Sequence, residues 1–280
     1  HIPASVTFFT NSPFAGCHYE SVYYDGTFED WCKIDFGYCD NSPMPYTEKF
    51  YYKKENGYEE LIDAVIPETI TQINEGTFSE YKALRSVTFH DGVAAIAKNA
   101  FKYCENLSSV VLPSQLKFIG EYAFYNCKSI YSIKIPKYVS EIGNYAFGGC
   151  NKLIEVYNCS DYIKDITIGD GSYGGVAKYA KVIHTGMNEP SNIVYDKDYV
   201  LFRSGDDYIL IDYRGKESEL ILPQITTIID ERVFKDNKNI TSVVIGEKVT
   251  TIGKSAFYNC LNLASVLISV SYTHLRAHET

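Results

Sequence analysis

The sequence predicts a β-rich solenoid of 23-residue coils that is interrupted by an antiparallel β-meander insertion. A phrase that ends in Ala-Phe-x-x-Cys occurs three times within residues 99–150, and its phenylalanines, Phe101, Phe124 and Phe147, are spaced 23 residues apart. A fixed period of this size is typical of repeats in which each unit stacks on its neighbours. The period is then lost, and it returns at Phe234 and Phe257, which are again 23 residues apart.

Residues 1–34 are predicted to form a partial repeat followed by an edge module of one strand and one short helix. The apolar residues 22–24 favour the strand. Thr27 can cap the helix because Asp30 follows three positions later, as in a capping box. Trp31 is then expected to pack back on the edge of the solenoid.

Residues 35–66 are predicted to be a loop followed by a β-hairpin. The loop contains two prolines and several turn-forming residues. The hairpin would pair residues 50–53 with residues 61–66 across the Asn56-Gly57 turn.

The regular coils occupy residues 67–158 and repeat one order of features. An alternating apolar strand is followed by a proline or its substitute, and the phenylalanine comes eleven positions later. A leucine or isoleucine also precedes each strand, which gives the Leu-x-x-Leu-x-Leu spacing of leucine-rich repeats. Alternate strand side chains then enter the core, and the residues between them face outward. The phenylalanine is expected to fill the space between the two sides of each coil.

The period stops over residues 159–222, where we predict a β-meander spacer. Short strands separated by turn residues are expected at 181–185, 192–195, 200–203 and 208–212. Leucine-rich-repeat coils are predicted to resume over residues 223–268.

Residues 269–280 do not fit the repeat register. Their Ser-Tyr-Thr-His-Leu-Arg-Ala-His-Glu-Thr run resembles the translation of library adapter DNA, so we expect a non-native or disordered tail. The chain also opens inside a repeat and without Met, so we expect its native N-terminus to lie upstream. Uncapped solenoid ends would then favour self-association.

Charge and composition exclude several classes of partner. The formal net charge is −9 and no dense Lys/Arg run occurs, which argues against nucleic acid or an anionic membrane as the main partner. No apolar run is long enough for a transmembrane segment. The 25 tyrosines suit half-buried strand positions, with an exposed binding face as the alternative.

The cysteines suggest metal or disulfide chemistry, but their spacing favours another interpretation. Cys104, Cys127 and Cys150 lie at equivalent repeat positions, so stacked coils could bring two of them within reach of a disulfide. We favour a buried, reduced ladder, because core cysteine usually acts as a small apolar residue. We expect no metal and no cofactor. No Cys-x-x-Cys pair occurs, and the Gly-x-Gly-x-x-Gly match at residues 169–174 lacks a strand-turn-helix context.

The pattern Cys-x-x-Leu-x-x-Val-x-Leu-Pro…Ile-Gly-x-x-Ala-Phe-x-x-Cys over Cys104 to Cys127 resembles the BspA-like, or Treponema pallidum type, leucine-rich repeat. The resemblance covers roughly residues 2–268. It implies an extracellular or cell-surface protein of host-associated bacteria or some protists that is used for adhesion. It implies no catalytic residues, so we expect that the chain is not an enzyme.

The functional hypothesis is a non-catalytic segment of a larger adhesin that binds through the outward-facing strand residues. Expected partners are host extracellular-matrix or other surface proteins, and possibly glycans. The alternative is a rigid spacer that presents another domain. An enzyme is least favoured, although a buried cluster of acidic and His residues within 159–222 would support one. The candidate binding residues are Arg85, Thr88, Val111, Tyr131, Lys134 and Tyr157.

Overall fold

A computed structural model describes residues 1–186 and 188–269 of the 280-residue chain. The chain divides into two units, His1–Glu189 and Pro190–Thr280. In both units, most strands come from repeats of the same short coil, and the strands of successive coils pair in parallel.

The first unit contains thirteen short strands among its described residues. Its helical segments are α1 (Phe28–Lys33) and three 3₁₀ turns, Cys39–Asn41, Met44–Tyr46 and Tyr173–Gly175. The strands are β1 (Tyr19–Tyr24), β2 (Thr47–Lys54), β3 (Gly57–Glu60), β4 (Asp63–Val65), β5 (Gln72–Ile73), β6 (Ser86–Thr88), β7 (Ala95–Ile96), β8 (Ser109–Val111), β9 (Phe118–Ile119), β10 (Ser132–Ile135), β11 (Glu141–Ile142), β12 (Glu155–Asn158) and β13 (Val182–His184).

Parallel ladders form the two sides of this solenoid. One side consists of β4–β6–β8 and β10–β12–β13, and the other is β5–β7–β9–β11. Val87 pairs with Val110, and Ile96 pairs with Ile119, so the partners in neighbouring coils are 23 residues apart. The sequence period is therefore the coil period, which confirms the predicted fold.

The phenylalanine of each coil fills the space between the two sides. The buried rings of Phe78, Phe101, Phe124 and Phe147 form one stack. Their centroids are separated by 5.0, 5.1 and 5.3 Å, which is close to the spacing of paired strands.

Glycine is required after the second strand of two coils for a reason of space. A Cβ on Gly120 would lie 2.5 Å from the backbone nitrogen of Lys98, and a Cβ on Gly143 would lie 2.5 Å from that of Glu121. Both contacts are to the backbone of the preceding coil. Close approach of neighbouring coils, rather than a special turn conformation, therefore explains these glycines.

The N-terminal edge module forms as predicted. The Thr27 Oγ1 accepts a hydrogen bond from the Asp30 backbone at 3.1 Å, and the Thr27 backbone N–H donates to the Asp30 carboxylate at 2.9 Å. This capping box starts α1. The helix then buries Trp31, whose indole N–H donates to the Thr77 carbonyl at 3.3 Å in the first regular coil.

The predicted hairpin is present, but its second strand was assigned wrongly. β2 pairs antiparallel with β3, and it also pairs in parallel with β1. Residues 63–65 form β4 instead, in register with β6. Ala64 and Ile66 are buried in the solenoid core. The alternating apolar pattern at these residues therefore marks the first strand of a parallel ladder and not a strand of the hairpin.

The region after residue 158 also differs from expectation. β13 pairs in parallel with β12, with Val182 beside Glu155, so residues 159–184 form one more coil, in which the paired strand residues are 27 positions apart. The buried Val176 and Ala177 pack in the core of this coil, which has no phenylalanine. The expectation of an antiparallel meander strand at 181–185 is therefore wrong.

The meander itself lies in the second unit and is shorter than predicted. It consists of β14 (Ile193–Asp196), β15 (Tyr199–Ser204) and β16 (Asp207–Tyr213), paired antiparallel in that order. Parallel coils then resume, with buried Phe234 stacked on Phe257 at 4.9 Å. The coil strands are β17 (Glu219–Ile221), β18 (Ile228–Ile229), β19 (Ser242–Ile245), β20 (Thr251–Ile252) and β21 (Ser265–Ile268). The predicted tail lies outside the described residues, except for Ser269.

Candidate binding surface

An exposed row of side chains crosses four coils of the first unit. Val65 pairs with Thr88, and Thr88 pairs with Val111, on β4, β6 and β8. Lys134 occupies the equivalent position 23 residues later, on β10. All four side chains are exposed, Val65 by 67% and Val111 by 65%. We call these four residues the strand row, and at the strand spacing it is about 15 Å long.

Polar side chains border the strand row. Asp63, Ser86 and Ser109 pair across the same three strands, two residues before the row positions. The Ser86 hydroxyl donates to the Asp63 carboxylate at 2.5 Å. Arg85 is exposed one residue further back. The face therefore mixes two exposed valines with hydroxyl, carboxylate and guanidinium groups, a composition that suits protein recognition.

A groove of about 840 Å³ opens at the β4 end of the strand row. Its apolar lining comes from Phe28 of α1, Tyr52 of β2 and Val65. The groove exists because the β2–β3 hairpin ends one sheet and β4 begins another. Since Val65 belongs to both features, the groove and the strand row form one continuous surface.

Carboxylates and lysines form the rim of this groove. Glu59 forms an ion pair with Lys54 and accepts a hydrogen bond from the Tyr52 hydroxyl at 3.0 Å. Glu29 accepts hydrogen bonds from Lys33 at 2.5 Å and from the Thr69 hydroxyl at 2.8 Å. The Lys33 hydrogen bond is the main reason that the pKa of Glu29 is lowered. These contacts hold the rim side chains in place before any partner binds.

The structure exposes four of the six predicted binding residues and buries the other two. Arg85, Thr88, Val111 and Lys134 are exposed. Tyr131 and Tyr157 are each only 2% exposed, so the expectation that they lie on the outer face is wrong. The exposed surface predicted from the strand alternation therefore ends at Lys134.

The burial of Tyr157 follows from the additional coil. The ring of His184 on β13 stacks on the Tyr157 ring, with centroids 4.2 Å apart and planes 21° apart. The Lys134 ammonium lies 4.8 Å from the centroid of the same ring. Tyr131 has a similar neighbour, since the Lys152 ammonium lies 5.7 Å from its ring centroid. Strand alternation does not reveal the burial of Tyr157, because it indicates no parallel strand beside β12.

His184 also joins two carboxylates. Its Nε2 lies 3.1 Å from the fully buried Glu155 carboxylate, and its Nδ1 lies 2.9 Å from that of Glu189. The second Glu189 oxygen accepts hydrogen bonds from the backbone N–H groups of Thr185 and Gly186 at 3.0 and 2.9 Å. The cluster therefore ties β12, β13 and the segment after β13 together.

The charges in this cluster favour an imidazolium. Burial lowers the pKa of His184, but its hydrogen bonds to Glu189 and Glu155 outweigh that effect and raise the pKa above its usual value. The hydrogen bond from His184 in turn lowers the pKa of Glu189, with help from the Gly186 N–H. Both ring nitrogens face carboxylates, so His184 has no lone pair directed at a substrate. We therefore assign this acidic and His cluster a structural role.

The cysteine ladder is part of the core. The thiols of Cys104, Cys127 and Cys150 are free and buried. They donate to the carbonyls of the phenylalanines 26 positions earlier, at 3.0, 3.1 and 3.0 Å. Burial raises the pKa of the Cys150 thiol to about 12 and holds that of Cys127 well above its usual value. These thiols are therefore protonated near neutral pH and poorly reactive.

Neither a metal centre nor a membrane helix is found in the part of the chain that the structure describes. Over residues 1–186 and 188–269, no group of three or more His, Cys, Asp or Glu side chains could hold a metal ion. The same residues include no helix that has both the length and the apolar character needed to span a bilayer.

The stacked parallel coils define a leucine-rich-repeat solenoid. Six copies of the BspA type leucine rich repeat region match residues 50–172 and 213–278, and the chain therefore belongs to this family. No curated protein matches the chain significantly.

Several solved structures match the chain. A leucine-rich repeat protein from Eubacterium ventriosum is 18% identical, with 90% of this chain and 68% of that chain covered and a TM-score of 0.40. The leucine rich repeat protein of T. pallidum is 19% identical, with 77% and 88% covered and a TM-score of 0.38. A leucine rich cell surface protein from Faecalibacterium prausnitzii is 20% identical, with 75% and 61% covered and a TM-score of 0.32. The chain thus spans about three fifths of the last protein's length.

Proposed function

We propose that this chain is a non-catalytic, protein-binding segment of an adhesin, and that it recognises partners with the strand row and the adjoining groove. The observation that carries the proposal is the exposure of Val65 and Val111 at equivalent positions of a rigid parallel ladder. Two exposed valines with a threonine between them give an apolar strip, and the polar residues beside it supply hydrogen bonds.

The energetics of such a contact can be approximated from the exposed area. Fully burying a valine side chain contributes roughly 1.5 kcal/mol or more relative to leaving it exposed. Val65 and Val111 are each about two thirds exposed, so covering both would contribute on the order of 2 kcal/mol. Binding surfaces usually depend on a few such contacts surrounded by polar ones.

The same proposal includes the location of the chain and the class of its partners. Family membership and the resemblance of the repeats support an extracellular or cell-surface location. The partners would then be host extracellular-matrix proteins or other surface proteins. The engagement of both His184 ring nitrogens supports a non-catalytic role.

A rigid spacer that presents another domain is the second candidate function. The continuous stack of phenylalanine rings in the first unit favours it, because each coil is fixed on the next over four coils. A spacer needs no ligand on the strand row, so a binding measurement separates the two functions.

Surface plasmon resonance on immobilised fibronectin, collagen and fibrinogen provides that measurement. We expect Val111→Asp to weaken binding at least tenfold, because it replaces one of the two exposed valines of the apolar strip by a charge. Leu261→Asp is the matched control, since Leu261 is 74% exposed and lies outside the strand row. The proposal fails if none of the three proteins binds, or if Val111→Asp binds as well as the control. Equal melting temperatures establish that both variants are folded.

A further inference from the structure

A second concave site lies on the turns that follow β7 and β9, and it shares no residue with the strand row. It has a volume of about 340 Å³, within the size range of small-ligand pockets. We call it the tyrosine pocket. Its lining residues are Lys98, Asn99, Lys102, Tyr103, Tyr122 and Tyr125.

One wall of the pocket is the ring of Tyr122. Tyr122 and Tyr145 occupy equivalent positions in successive coils, and their rings stack with centroids 5.4 Å apart and planes 9° apart. The same position one coil earlier is Asn99, whose side chain is too short to continue the stack. Tyr145 thus covers one face of the Tyr122 ring, and Tyr122 also lines the pocket.

The other two rings are held in fixed positions. The Tyr125 ring meets the Tyr103 and Tyr122 rings edge to face, at 5.5 and 5.3 Å between centroids. Gly148 leaves the space that the Tyr125 ring occupies, since a Cβ there would lie 3.0 Å from that ring. The aromatic walls are therefore arranged before a ligand binds, which reduces the entropy cost of binding.

The backbone indicates that the fold itself does not require tyrosine at these positions. Tyr122 and Tyr145 both have φ of 55°, in the left-handed region that disfavours bulky side chains. The same position also has positive φ where it is occupied by Gly76, Asn99, Arg232 and Ser255, so the left-handed conformation belongs to the repeat and does not require tyrosine.

The charges at the pocket favour a neutral ligand. The Lys98 ammonium lies 2.8 Å from the Glu121 carboxylate. The Lys102 ammonium lies over the Tyr103 ring. It is also close to Glu80, where burial raises the pKa of the carboxyl and the positive charge of Lys102 acts to lower it. Each lysine is thus near a carboxylate, so the site has little net attraction for an anion. The ammonium groups can still donate hydrogen bonds to hydroxyls.

We propose that the tyrosine pocket binds a neutral pyranose of a glycan. The apolar face of the sugar would pack on the part of the Tyr122 ring that lines the pocket. Its hydroxyls would contact Lys98, Lys102 and the tyrosine hydroxyls around the pocket. A flat apolar face edged with hydroxyls matches this combination of aromatic walls and polar donors.

Saturation-transfer NMR with lactose, maltotriose and chitotriose tests this assignment. We expect transfer to the ring C–H protons of at least one of the three sugars. Tyr122→Asn should reduce its affinity at least tenfold, and Tyr122→Phe should keep it within about threefold, because the ring rather than the hydroxyl provides the stacking surface. Tyr258→Asn is the matched control, since Tyr258 lies at the repeat position of Tyr125 but lines no part of this pocket.

A second variant keeps the test decisive if Tyr122→Asn does not fold. Asn99→Tyr places a bulky ring on a residue that lines the pocket, at a position that accepts tyrosine in the next two coils. It should abolish saturation transfer while the chain stays folded. The proposal is overturned if no sugar shows transfer, if folded Tyr122→Asn or Asn99→Tyr binds normally, or if 3′-sialyllactose binds more than tenfold tighter than lactose.

Discussion

Replacing Phe124 by alanine should cause one of the largest losses of stability that a single substitution can produce in the first unit. The Phe124 side chain is fully buried, and its ring stacks on Phe101 at 5.1 Å and on Phe147 at 5.3 Å. Phe→Ala in a core usually costs about 3–5 kcal/mol. Because two ring contacts are lost and stacked coils can collapse only slightly into the gap, we expect a cost of about 4–5 kcal/mol.

Urea unfolding followed by tryptophan fluorescence measures this cost directly. Trp31 is the only tryptophan, it is buried, and it lies in the same unit as Phe124. Phe8→Ala is the control, because Phe8 is 66% exposed and its loss should change the free energy of unfolding by no more than about 0.5 kcal/mol. A loss below about 2 kcal/mol for Phe124→Ala would refute the claim that the phenylalanine stack supports the coils.

Two further predictions concern the glycines and the His184 cluster. Gly120→Ala should destabilise the first unit by about 1–3 kcal/mol, because its Cβ would meet the backbone of the preceding coil, whereas Gly171→Ala, with open space around it, should be nearly neutral in urea unfolding. The raised pKa of His184 means that its stabilising contribution is complete below the unfolded-state pKa of about 6.5 and is lost as the pH rises through the folded-state pKa. His184→Gln should remove that decline from a pH series of unfolding free energies, and an unchanged decline would contradict the assignment. The lowered pKa of Glu189 acts in the opposite sense, so its contribution is present above the unfolded-state pKa of about 4.5 and is lost as the pH falls through the folded-state pKa.

The regular coils could be predicted from the sequence because one residue type recurs at one spacing. The phenylalanine and the strand both recur every 23 residues from residue 78 to residue 147. This single period predicts the fold, the pairing of neighbouring strands and the face of each strand that is directed to the core. The capping box at Thr27 could also be predicted from the sequence, since it depends only on two residues that are three positions apart.

The coil of residues 159–184 could not be recognised in the same way. Its strand partners are 27 residues apart, and Val176 and Ala177 are buried there without a phenylalanine. Missing this coil also caused the error over Tyr157, because strand alternation alone does not show that His184 lies against its ring. The groove beside Val65 was missed for a related reason, since it depends on which strand pairs with β2.

The central claim is that the strand row binds a protein partner, and Thr88→Arg tests it most directly. Thr88 lies between Val65 and Val111 in the ladder, so an arginine there would project between the two valines. Thr10→Arg provides the same chemical change at an exposed position outside the row. In surface plasmon resonance on the matrix protein that binds the unmodified chain, we expect Thr88→Arg to weaken binding at least tenfold and Thr10→Arg to leave it unchanged. Equal binding by the two folded variants would contradict the claim.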